Sequence, residues 1–483
     1  MRAQVSIASV LVLVLSSGVI HAADYPQWRG PARDGIAKES GLLKEWPKEG
    51  PKLLWQLKDI GYAYSTPAVV GARLYLMSNQ GMNNEYVQAL EVQDGKSAWT
   101  TRLGKVGNPG QIPPYPAARS TPTVDGELLY ALGSDGDLAC LETASGKVRW
   151  QKNLRTEFGG KPGVWAYAES PLIDGDALVC TPGGKEATLL ALNKETGNVI
   201  WKSAVPGGDQ AGYASIIVVE AAGRRQYVQF LQNGVVGVDA KTGKFLWRYD
   251  KTAKSPANMA TPVAHDGYVY TTQGSRSGMS GLVKLKADND GVAAEPVYYS
   301  RGLPTSIGGA VQVGGFLYGT TVQELVCAEF TTGKVVWKDK CIGAGSLCCA
   351  EGRLYVHGEN GDMALVELTS EGYHEKGRFS LPDQPKHIHG GMEQAWQYPV
   401  VANGRLYIRD VGTLWCFDIK DPAAARQCDS VSSPAMLPRD LEAPPCQRRA
   451  PGSVSAGWFA RSVIPTVSAL APKTHAIPRR LPC

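Results

Sequence analysis

The sequence predicts an all-β protein, an eight-bladed β-propeller made of four-stranded antiparallel blades. Three observations indicate this fold: a composition rich in turn formers, a Trp-terminated hairpin that recurs five times, and a strand–turn–strand pattern that recurs eight times. The 483 residues include 55 Gly, 31 Pro, 20 Tyr and 12 Trp, with 43% hydrophobic and 20% charged residues. This composition is typical of a turn-rich globular protein with a large core, and it excludes a wholly disordered chain.

The Trp-terminated hairpins share one span and one turn. Each has a short apolar strand, a polar turn that contains Gly, and a second strand that ends in Trp, which is typical of a β-hairpin. Gly adopts the positive φ of a tight hairpin loop without steric cost. The five copies are Ala89–Trp99, Cys140–Trp150, Ala191–Trp201, Gly237–Trp247 and Cys327–Trp337. We expect the Trp side chains that close these hairpins, and the Trp of an N-terminal strand, to dock on a neighbouring blade: Trp55, Trp99, Trp150, Trp201, Trp247 and Trp337.

A second pattern precedes each hairpin and supplies two further strands. It consists of an apolar strand, a tight turn with Gly, and an alternating strand, so that pattern and hairpin together make four antiparallel strands. The repeat length averages about 47 residues, which lies in the range of propeller blades. The eight copies are Ser65–Leu76, Ser120–Leu132, Ser170–Cys180, Ser215–Phe230, Thr261–Tyr270, Ala310–Gly319, Leu347–Val356 and Tyr398–Ile408.

The first and last repeats predict how the ring closes. The eighth repeat lacks a Trp-terminated fourth strand, whereas the N-terminal segment has a spare apolar strand that ends at Trp55. Pairing of this strand beside Val411–Ile419 would close the ring without an exposed edge. Two other repeats depart from the pattern, because Tyr298 and Phe379 stand where Trp is expected.

The N-terminus predicts export. Arg2 precedes an apolar run over Val5–Ile20, and His21–Ala23 offers small residues for cleavage, so residues 1–23 are interpreted as a signal peptide and residues 24–420 as the propeller. The run is too interrupted for a membrane anchor, and no transmembrane span is expected after its removal. No Cys precedes Cys140, so no lipid anchor is expected. The protein is predicted to be periplasmic or secreted.

The C-terminal segment, residues 421–483, has a different composition. It contains 10 Pro, 2 Gly and no Tyr, and it lacks a useful hydrophobic period. We predict that it is disordered and a non-native extension; a functional basic tail is the alternative. It also carries three of the ten Cys. The other seven are an odd number, so at least one is expected to be free.

Charge excludes one class of partner. Fifty Lys and Arg against 45 Asp and Glu give a net charge of +5, and no basic patch for nucleic acid is present. We expect a monomer that engages an envelope protein or a small molecule.

The five hairpins resemble the tryptophan-docking repeats of the pyrroloquinoline quinone (PQQ) enzyme-like β-propellers. This superfamily includes quinoprotein alcohol dehydrogenases and the outer-membrane assembly propeller of Gram-negative bacteria. The resemblance covers about residues 50 to 420 and implies an eight-bladed ring. The opening Tyr25–Gly35 is similar to that of exported members without an assigned activity. A shared fold does not imply catalysis.

The resemblance implies a site to look for. Quinoprotein dehydrogenases hold the quinone between an aromatic floor and a vicinal disulfide, over a Ca²⁺ bound by Glu, Asn and Asp, with an Asp base. Cys348 and Cys349 are adjacent, but they lie in the seventh repeat, away from the position where that family places its pair. We interpret them as buried strand thiols.

The start of each inner strand is expected to face the central channel. This places six ligand candidates at the channel mouth: Arg119, Trp165, Glu169, Asn258, Trp396 and Gln397. Glu169 and Asn258 are plausible Ca²⁺ ligands, but no third acidic partner follows from the pattern. We therefore expect neither a metal nor a cofactor, with PQQ and Ca²⁺ as the alternative.

The function predicted from the sequence is an exported binding or scaffold propeller that engages a protein or small molecule through its loops and channel mouth. The alternative is a calcium-dependent PQQ oxidoreductase that acts on alcohols or sugars. Whether the protein is an enzyme stays open at this point, with scaffold favoured over catalysis. An assembly factor for outer-membrane proteins is a third possibility, which the missing lipid-bearing Cys weakens.

Overall fold

The computed structural model describes residues 23–424, apart from residues 113, 274–277, 290, 306–307 and 386–393. Residues 1–22 and 425–483 lie outside this range, so the signal peptide and the disordered tail stay predictions.

The described chain forms eight sheets, one for each predicted repeat: seven have four antiparallel strands, and one has a fifth, parallel strand added to its four. Two strands precede the first blade: β1 (Ile36–Ala37) and β2 (Lys52–Leu57). Blade 1 contains β3 (Ala68–Val70), β4 (Arg73–Asn79), β5 (Glu85–Glu91) and β6 (Ser97–Gly104). Blade 2 contains β7 (Thr123–Asp125), β8 (Leu128–Leu132), β9 (Asp137–Glu142) and β10 (Val148–Asn153). Helix α1 (Leu154–Phe158) follows, and blade 3 contains β11 (Leu172–Asp174), β12 (Ala177–Cys180), β13 (Leu189–Asn193) and β14 (Val199–Ser203).

The remaining blades repeat this order. Blade 4 contains β15 (Ile217–Ala221), β16 (Arg224–Leu231), β17 (Gly234–Asp239) and β18 (Phe245–Tyr249). Blade 5 contains β19 (Val263–His265), β20 (Tyr268–Thr272), β21 (Met279–Asp288) and β22 (Gly291–Arg301). Blade 6 contains β23 (Ala310–Val313), β24 (Phe316–Thr320), β25 (Leu325–Glu329) and β26 (Val335–Asp339). Blade 7 contains β27 (Gly345–Ala350), β28 (Arg353–Gly358), β29 (Asp362–Glu367) and β30 (Glu375–Ser380), and blade 8 contains β31 (Val400–Ala402), β32 (Arg405–Asp410) and β33 (Thr413–Asp418).

The burial of the strands follows their position in the blade. The two middle strands of a blade are almost wholly apolar and buried, as in β8 and β9, because each sheet packs between two others. The outermost strands alternate between exposed and half-buried residues, as in β10. The core is therefore a series of apolar layers between blades.

The ring closes as the sequence predicts. Strand β2 pairs antiparallel with β33, with Trp55 opposite Cys416, and so supplies the fourth strand of blade 8. The eight-bladed, all-β architecture closed by N- and C-terminal strands is thus confirmed.

The closing indoles connect successive blades. Five of them donate a hydrogen bond through Nε1 to a carbonyl three residues before a Gly of the next hairpin loop. These pairs are Trp55 with Val92, Trp99 with Thr143, Trp150 with Lys194, Trp201 with Ala240 and Trp337 with Thr369, over 2.9–3.3 Å. The phenol of Tyr298 makes the same contact with the carbonyl of Phe330 at 3.0 Å.

Trp247 departs from this arrangement. Its indole packs against apolar residues of blade 5, but its Nε1 donates to the side chain of Gln226 in its own blade at 2.6 Å. The reason lies in the next hairpin, because β21 and β22 are long strands that stay paired up to Asp288 and Gly291. The pairing in blade 5 therefore continues past the point at which the hairpins of blades 1–4, 6 and 7 turn and offer a carbonyl.

The segment before β1 crosses the centre of the ring. Tyr25 forms an antiparallel bridge with Val69 of blade 1, and the carbonyl of Pro26 accepts from Val124 N of blade 2 at 2.8 Å. Strand β1 pairs in parallel with β27, the innermost strand of blade 7. We call residues 24–37 the crossing segment.

Two buried arginines anchor the crossing segment to other blades. Arg29 donates to the carbonyl of Ala310 in blade 6 at 2.5 Å. The guanidinium of Arg33 donates to three carbonyls of blades 3 and 4, those of Ser170, Pro171 and Ile216. Because these contacts reach the inner strands of most blades, the segment lies across the central channel. In the part of the chain that the structure describes, no helix has the length and apolar character to span a membrane.

Candidate ligand site at the channel mouth

A cavity of about 280 Å³ lies where the inner strands begin, on one side of the crossing segment. Its described lining consists of three Trp, four Tyr, one Arg and three small or flexible residues. They are Trp28, Tyr64, Tyr115, Arg119, Trp165, Ala168, Tyr213, Ser215, Met259, Trp396 and Tyr398. The lining comes from six blades and from the crossing segment, which closes the channel below it.

Trp28 brings the crossing segment into the cavity wall. Its Nε1 donates to the hydroxyl of Thr261 at 3.0 Å. Its ring meets Tyr398 edge-on, with ring centres 4.6 Å apart and an angle of 67°. The neighbouring Arg29 holds this part of the segment against blade 6. The segment thus supplies an aromatic floor that is fixed on two sides.

The wall residues stand immediately before inner strands and hold one another in place. Trp396 lies 5.4 Å from Tyr64 and 5.2 Å from Tyr115, measured between ring centres. Trp165 lies 5.5 Å from Tyr213, whose hydroxyl accepts a hydrogen bond from Trp165 N. Tilted and edge-on aromatic pairs at these distances are mutually attractive. The aromatic side chains of the wall therefore support one another.

Arg119 is the one charged residue among the described lining residues. Its guanidinium lies 4.9 Å from the ring centre of Tyr64 and donates through Nη2 to Gln111 Oε1 and to the carbonyl of Tyr115. Its Nε is buried without a hydrogen-bond partner. Burial lowers the pKa of Arg119 from its usual value, but the side chain remains a cation at neutral pH because Arg starts above 12.

The Glu85 carboxyl, which interacts electrostatically with Arg119, carries little negative charge at neutral pH. Burial raises the pKa of Glu85 to about 8, so its carboxyl is mostly protonated at pH 7. Glu85 accepts hydrogen bonds from the backbone and hydroxyl of Ser134. No ion pair to Arg119 is formed by any described carboxylate. The cation therefore faces an aromatic cavity without a charged partner.

The structure separates the six predicted mouth residues into two groups. Arg119, Trp165 and Trp396 line the cavity. Glu169, Asn258 and Gln397 are buried behind the wall and hold backbone or neighbouring strands: Gln397 Nε2 donates to the carbonyl of Ala63 at 3.0 Å. The residues that sequence reasoning did not include are Trp28, Tyr115, Tyr213 and Tyr398. The aromatic residues that precede each strand pattern are a signal that could have found the Tyr residues.

Glu169 and Asn258 do not provide a calcium site. The Glu169 carboxyl already accepts hydrogen bonds from Thr181 N, Thr181 Oγ1 and Gln229 Nε2, and burial raises its pKa to about 7. Asn258 Nδ2 donates to two carbonyls, and its Oδ1 is buried without a partner. Ca²⁺ requires six to eight oxygen ligands. Within the described ranges, no three His, Cys, Asp or Glu side chains are grouped to hold a metal.

The adjacent Cys348 and Cys349 lie on β27 and point to opposite faces of blade 7. Cys348 packs in the apolar layer with Tyr355 and Trp415, whereas Cys349 packs with Val356. Both thiols are free, and burial raises the pKa of Cys349 to about 12. The pair therefore lies in the cores between blades and does not line the cavity. The residues at this site therefore do not fit a bound quinone and Ca²⁺.

A family model matches most of the propeller. It carries the description outer membrane protein assembly factor BamB and matches residues 36–162 and 83–339. Together these matches extend over residues 36–339, which is more than half of the chain.

Relatives with different names match parts of the chain. The tetrathionate hydrolase of Acidithiobacillus ferrooxidans is 24% identical over 45% of this chain and 47% of its own length. The glycerol dehydrogenase large subunit of Gluconobacter oxydans is 25% identical over 38% of this chain and 28% of its own. BamB of Shewanella oneidensis is 23% identical over 54% of this chain and 63% of its own. The chain thus spans from about a quarter to less than two thirds of these relatives.

A solved structure shows a similar fold. BamB from Moraxella catarrhalis aligns with a TM-score of 0.52 at 15% identity, over 76% of this chain and 97% of that one. At this identity the likeness shows the fold alone.

Proposed function

Because the chain belongs to the PQQ-like propeller family whose model is described as outer membrane protein assembly factor BamB, we propose that it is an exported scaffold that holds a partner at its channel mouth. The observation that carries this proposal is the cavity: the crossing segment closes it below, and seven aromatic side chains line it and pack against one another. Preformed, largely apolar pockets with a few polar groups are the usual form of binding sites. A rigid ring of eight blades keeps these side chains in position.

The proposed location is the cell envelope. The predicted signal peptide supports export, and relatives that carry the name of an outer membrane assembly factor support an envelope partner. Tyr and Trp dominate the centres of protein interfaces because they bury large areas at low entropic cost. The partner is therefore proposed to be an envelope protein, or a small molecule of that compartment, that inserts into the aromatic cavity.

The PQQ dehydrogenase is the less supported alternative. That chemistry needs oxygen ligands for Ca²⁺ and a carboxylate base beside the substrate. The described lining of the cavity contains no acidic residue, and Glu169 is buried behind the wall in hydrogen bonds to Thr181 and Gln229. The residues present therefore support binding better than alcohol oxidation.

Capture from envelope extracts tests the scaffold proposal. The full chain, its Trp396→Ala variant and its Tyr299→Ala variant are immobilised, and bound proteins are identified. Tyr299 is a suitable control because it is 40% exposed on an outer strand, away from the cavity. We expect the wild type and Tyr299→Ala to retain the same partner and Trp396→Ala to lose it. Equal recovery by all three chains would show that the channel mouth is not the binding surface.

Addition of PQQ and Ca²⁺ tests the alternative directly. We expect no quinone absorbance to co-purify with the protein and no dye-linked oxidation of alcohols or sugars. The appearance of both signals would replace the scaffold proposal with a dehydrogenase.

A further inference from the structure

We propose that the cavity recognises an aromatic ring that bears a single carboxylate. This inference deepens the proposed function and rests on it, because it names the chemistry that enters the channel mouth. It is carried by the charge, the hydrogen-bond donors and the aromatic surface of the same described lining.

The charge of the lining selects an anion. Arg119 is the one charged residue among the described lining residues, and it lies within an otherwise apolar wall. Such a desolvated cation is satisfied best by an opposite charge with hydrogen-bond acceptors. Its guanidinium carbon lies 4.9 Å from the ring centre of Tyr64, and the planar guanidinium matches the geometry of a carboxylate.

The unused hydrogen-bond groups of the lining are donors. Three N–H groups on three lining residues are buried without an acceptor: Arg119 Nε, Trp165 Nε1 and Trp396 Nε1. Indole and guanidinium groups donate and cannot accept. The guanidinium of Arg119, which is the charged group of the described lining, therefore complements a ligand that brings acceptor oxygens and not one that brings donors. A carboxylate offers two such oxygens and no donor.

The aromatic surface selects a ring. Trp28 forms the floor, and Trp165 and Trp396 belong to separate aromatic pairs of the wall. A flat ligand ring gains edge-on or offset contacts with these faces beyond simple burial. The volume of about 280 Å³ is at the small end for ligand pockets. One cation compensates one carboxylate, so a tricarboxylate such as PQQ would keep uncompensated charge.

Two sources share this chemistry. A free aryl carboxylate and the C-terminal residue of a peptide that ends in an aromatic amino acid both present a ring beside one carboxylate. The experiment below therefore contains separate arms for each source.

Isothermal titration calorimetry of the full chain with three small probes tests the proposal. The probes are 3-phenylpropionate, its neutral amide 3-phenylpropionamide, and hexanoate, which keeps the charge and lacks the ring. We expect 3-phenylpropionate to bind at least about tenfold more tightly than either control, since a charge-assisted hydrogen bond or an aromatic contact is worth about this factor. Equal affinity for 3-phenylpropionate and its amide would contradict recognition of a carboxylate. Equal affinity for 3-phenylpropionate and hexanoate would contradict recognition of an aromatic ring. If no probe binds, both parts of the proposal are wrong.

Variants of Arg119 test whether this residue binds the carboxylate of the ligand. Arg119→Gln should remove the preference for acid over amide, and Arg119→Lys should keep part of it. Arg149→Gln is the matched control, because Arg149 pairs with Glu142 on the exposed outer strand of blade 2. If the far-UV dichroism shows that Arg119→Gln does not fold, Trp165→Leu is used instead. Trp165→Leu should lose the preference for 3-phenylpropionate over hexanoate. It should keep the preference for 3-phenylpropionate over its amide. Unchanged preferences in a folded Arg119 or Trp165 variant contradict the assignment.

A peptide arm identifies the source and separates this inference from the scaffold proposal. A short peptide that ends in Phe is compared as the free acid and as the C-terminal amide. Preference for the acid peptide over 3-phenylpropionate indicates a protein terminus, and the reverse order indicates a free aryl carboxylate; both support the proposed chemistry.

If the channel mouth captures a partner from extracts while no probe binds, the ligand chemistry is wrong and the scaffold proposal stands. If the probes bind and no partner is captured, the scaffold is wrong.

Discussion

Buried guanidinium groups hold the centre of this molecule together. Arg33 and Arg409 are almost fully buried, and each donates to several backbone carbonyls. Burial lowers the pKa of each group to about 9, so both remain charged at neutral pH. Carbonyl oxygens near the inner strands, where neighbouring blades converge, replace the water that these cations lose. Each Arg thus acts as a polar connection between elements that have few other hydrogen bonds to one another.

Replacement of Arg33 tests this role. Arg33→Met removes the donor to Ser170, Pro171 and Ile216 and leaves these carbonyls buried without a partner. We expect the free energy of unfolding to fall by about 3 kcal/mol, the usual cost of a broken buried charged network. Urea denaturation followed by tryptophan fluorescence measures this change. Arg149→Met, which breaks an exposed ion pair with Glu142, should cost less than about 1 kcal/mol. Equal losses in both variants would contradict the role assigned to Arg33.

We expect the buried carboxyl of Glu85 to make the stability of the fold depend on pH. Burial raises the pKa of its carboxyl to about 8, whereas a Glu in an unfolded chain titrates near about 4.3. The unfolded chain therefore releases this proton first, so the stabilisation is full below about pH 4 and is lost as pH rises to about 8. Glu85→Gln, which stays neutral, should gain melting temperature relative to the wild type from pH 5 to pH 8, with no further gain above. A constant difference across this range would show that Glu85 is ionised in the fold.

At the scale of elements, the hairpin turn and the indole form one unit. The turn Gly of a blade lies against the aromatic ring of the preceding blade, as Gly146 does against Trp99. The same turn places the carbonyl of Thr143 where the indole Nε1 donates to it. A hairpin with longer strands, as in blade 5, moves this carbonyl away, and Trp247 then finds its acceptor within its own blade. The length of the paired strands in a hairpin therefore decides which acceptor an indole meets.

Two glycine substitutions separate backbone strain from docking. Gly146 and Gly126 both have positive φ, 70° and 59°, but an added Cβ would overlap the Trp99 ring at Gly146 and meet open space at Gly126. We expect Gly126→Ala to cost about 1 kcal/mol of stability, from backbone strain alone. Gly146→Ala should cost about 1–3 kcal/mol more, from overpacking against the indole. Chemical denaturation of the two variants gives the difference, and equal costs would mean that the indole does not depend on this turn.

At the scale of the whole molecule, the chain closes the ring twice. Strand β2 completes blade 8, and the crossing segment bridges the channel from blade 1 to blade 7. The crossing segment adds β1 to one blade and otherwise contributes single contacts to many blades. It also provides Trp28, the floor of the candidate site. The same residues therefore stabilise the ring and complete the cavity.

Deletion of residues 24–35 tests this dual role. The deletion removes no blade strand, yet it removes the Arg29 and Arg33 contacts to blades 3, 4 and 6. We expect the melting temperature to fall by several degrees and the binding of 3-phenylpropionate to be lost with Trp28. Removal of residues 425–483 is the control and should change neither, because every blade strand lies within residues 52–418. A melting temperature that is unchanged by the first deletion would assign the closure of the ring to β2 alone.

The sequence by itself determined the number of blades, their strand order and the closure through Trp55. These features depend on local rules, since alternation of apolar residues, Gly turns and the recurrence of a hairpin can each be identified within one repeat. It also gave Arg119, Trp165 and Trp396 as candidates because they precede inner strands, and these three residues line the cavity.

Only the tertiary structure decided which side chains share the cavity. Trp28 and Tyr398 lie at opposite ends of the propeller sequence and meet at 4.6 Å because the ring closes and the crossing segment enters it. Glu169 and Asn258 stand in similar sequence positions to Arg119, but neighbouring parts of the chain hold the Glu169 carboxyl and Asn258 Nδ2 in hydrogen bonds. No local pattern shows whether a side chain at a strand start is directed into the cavity or into the wall. That choice depends on hydrogen-bond partners that are brought together by folding, from the same blade and from the next.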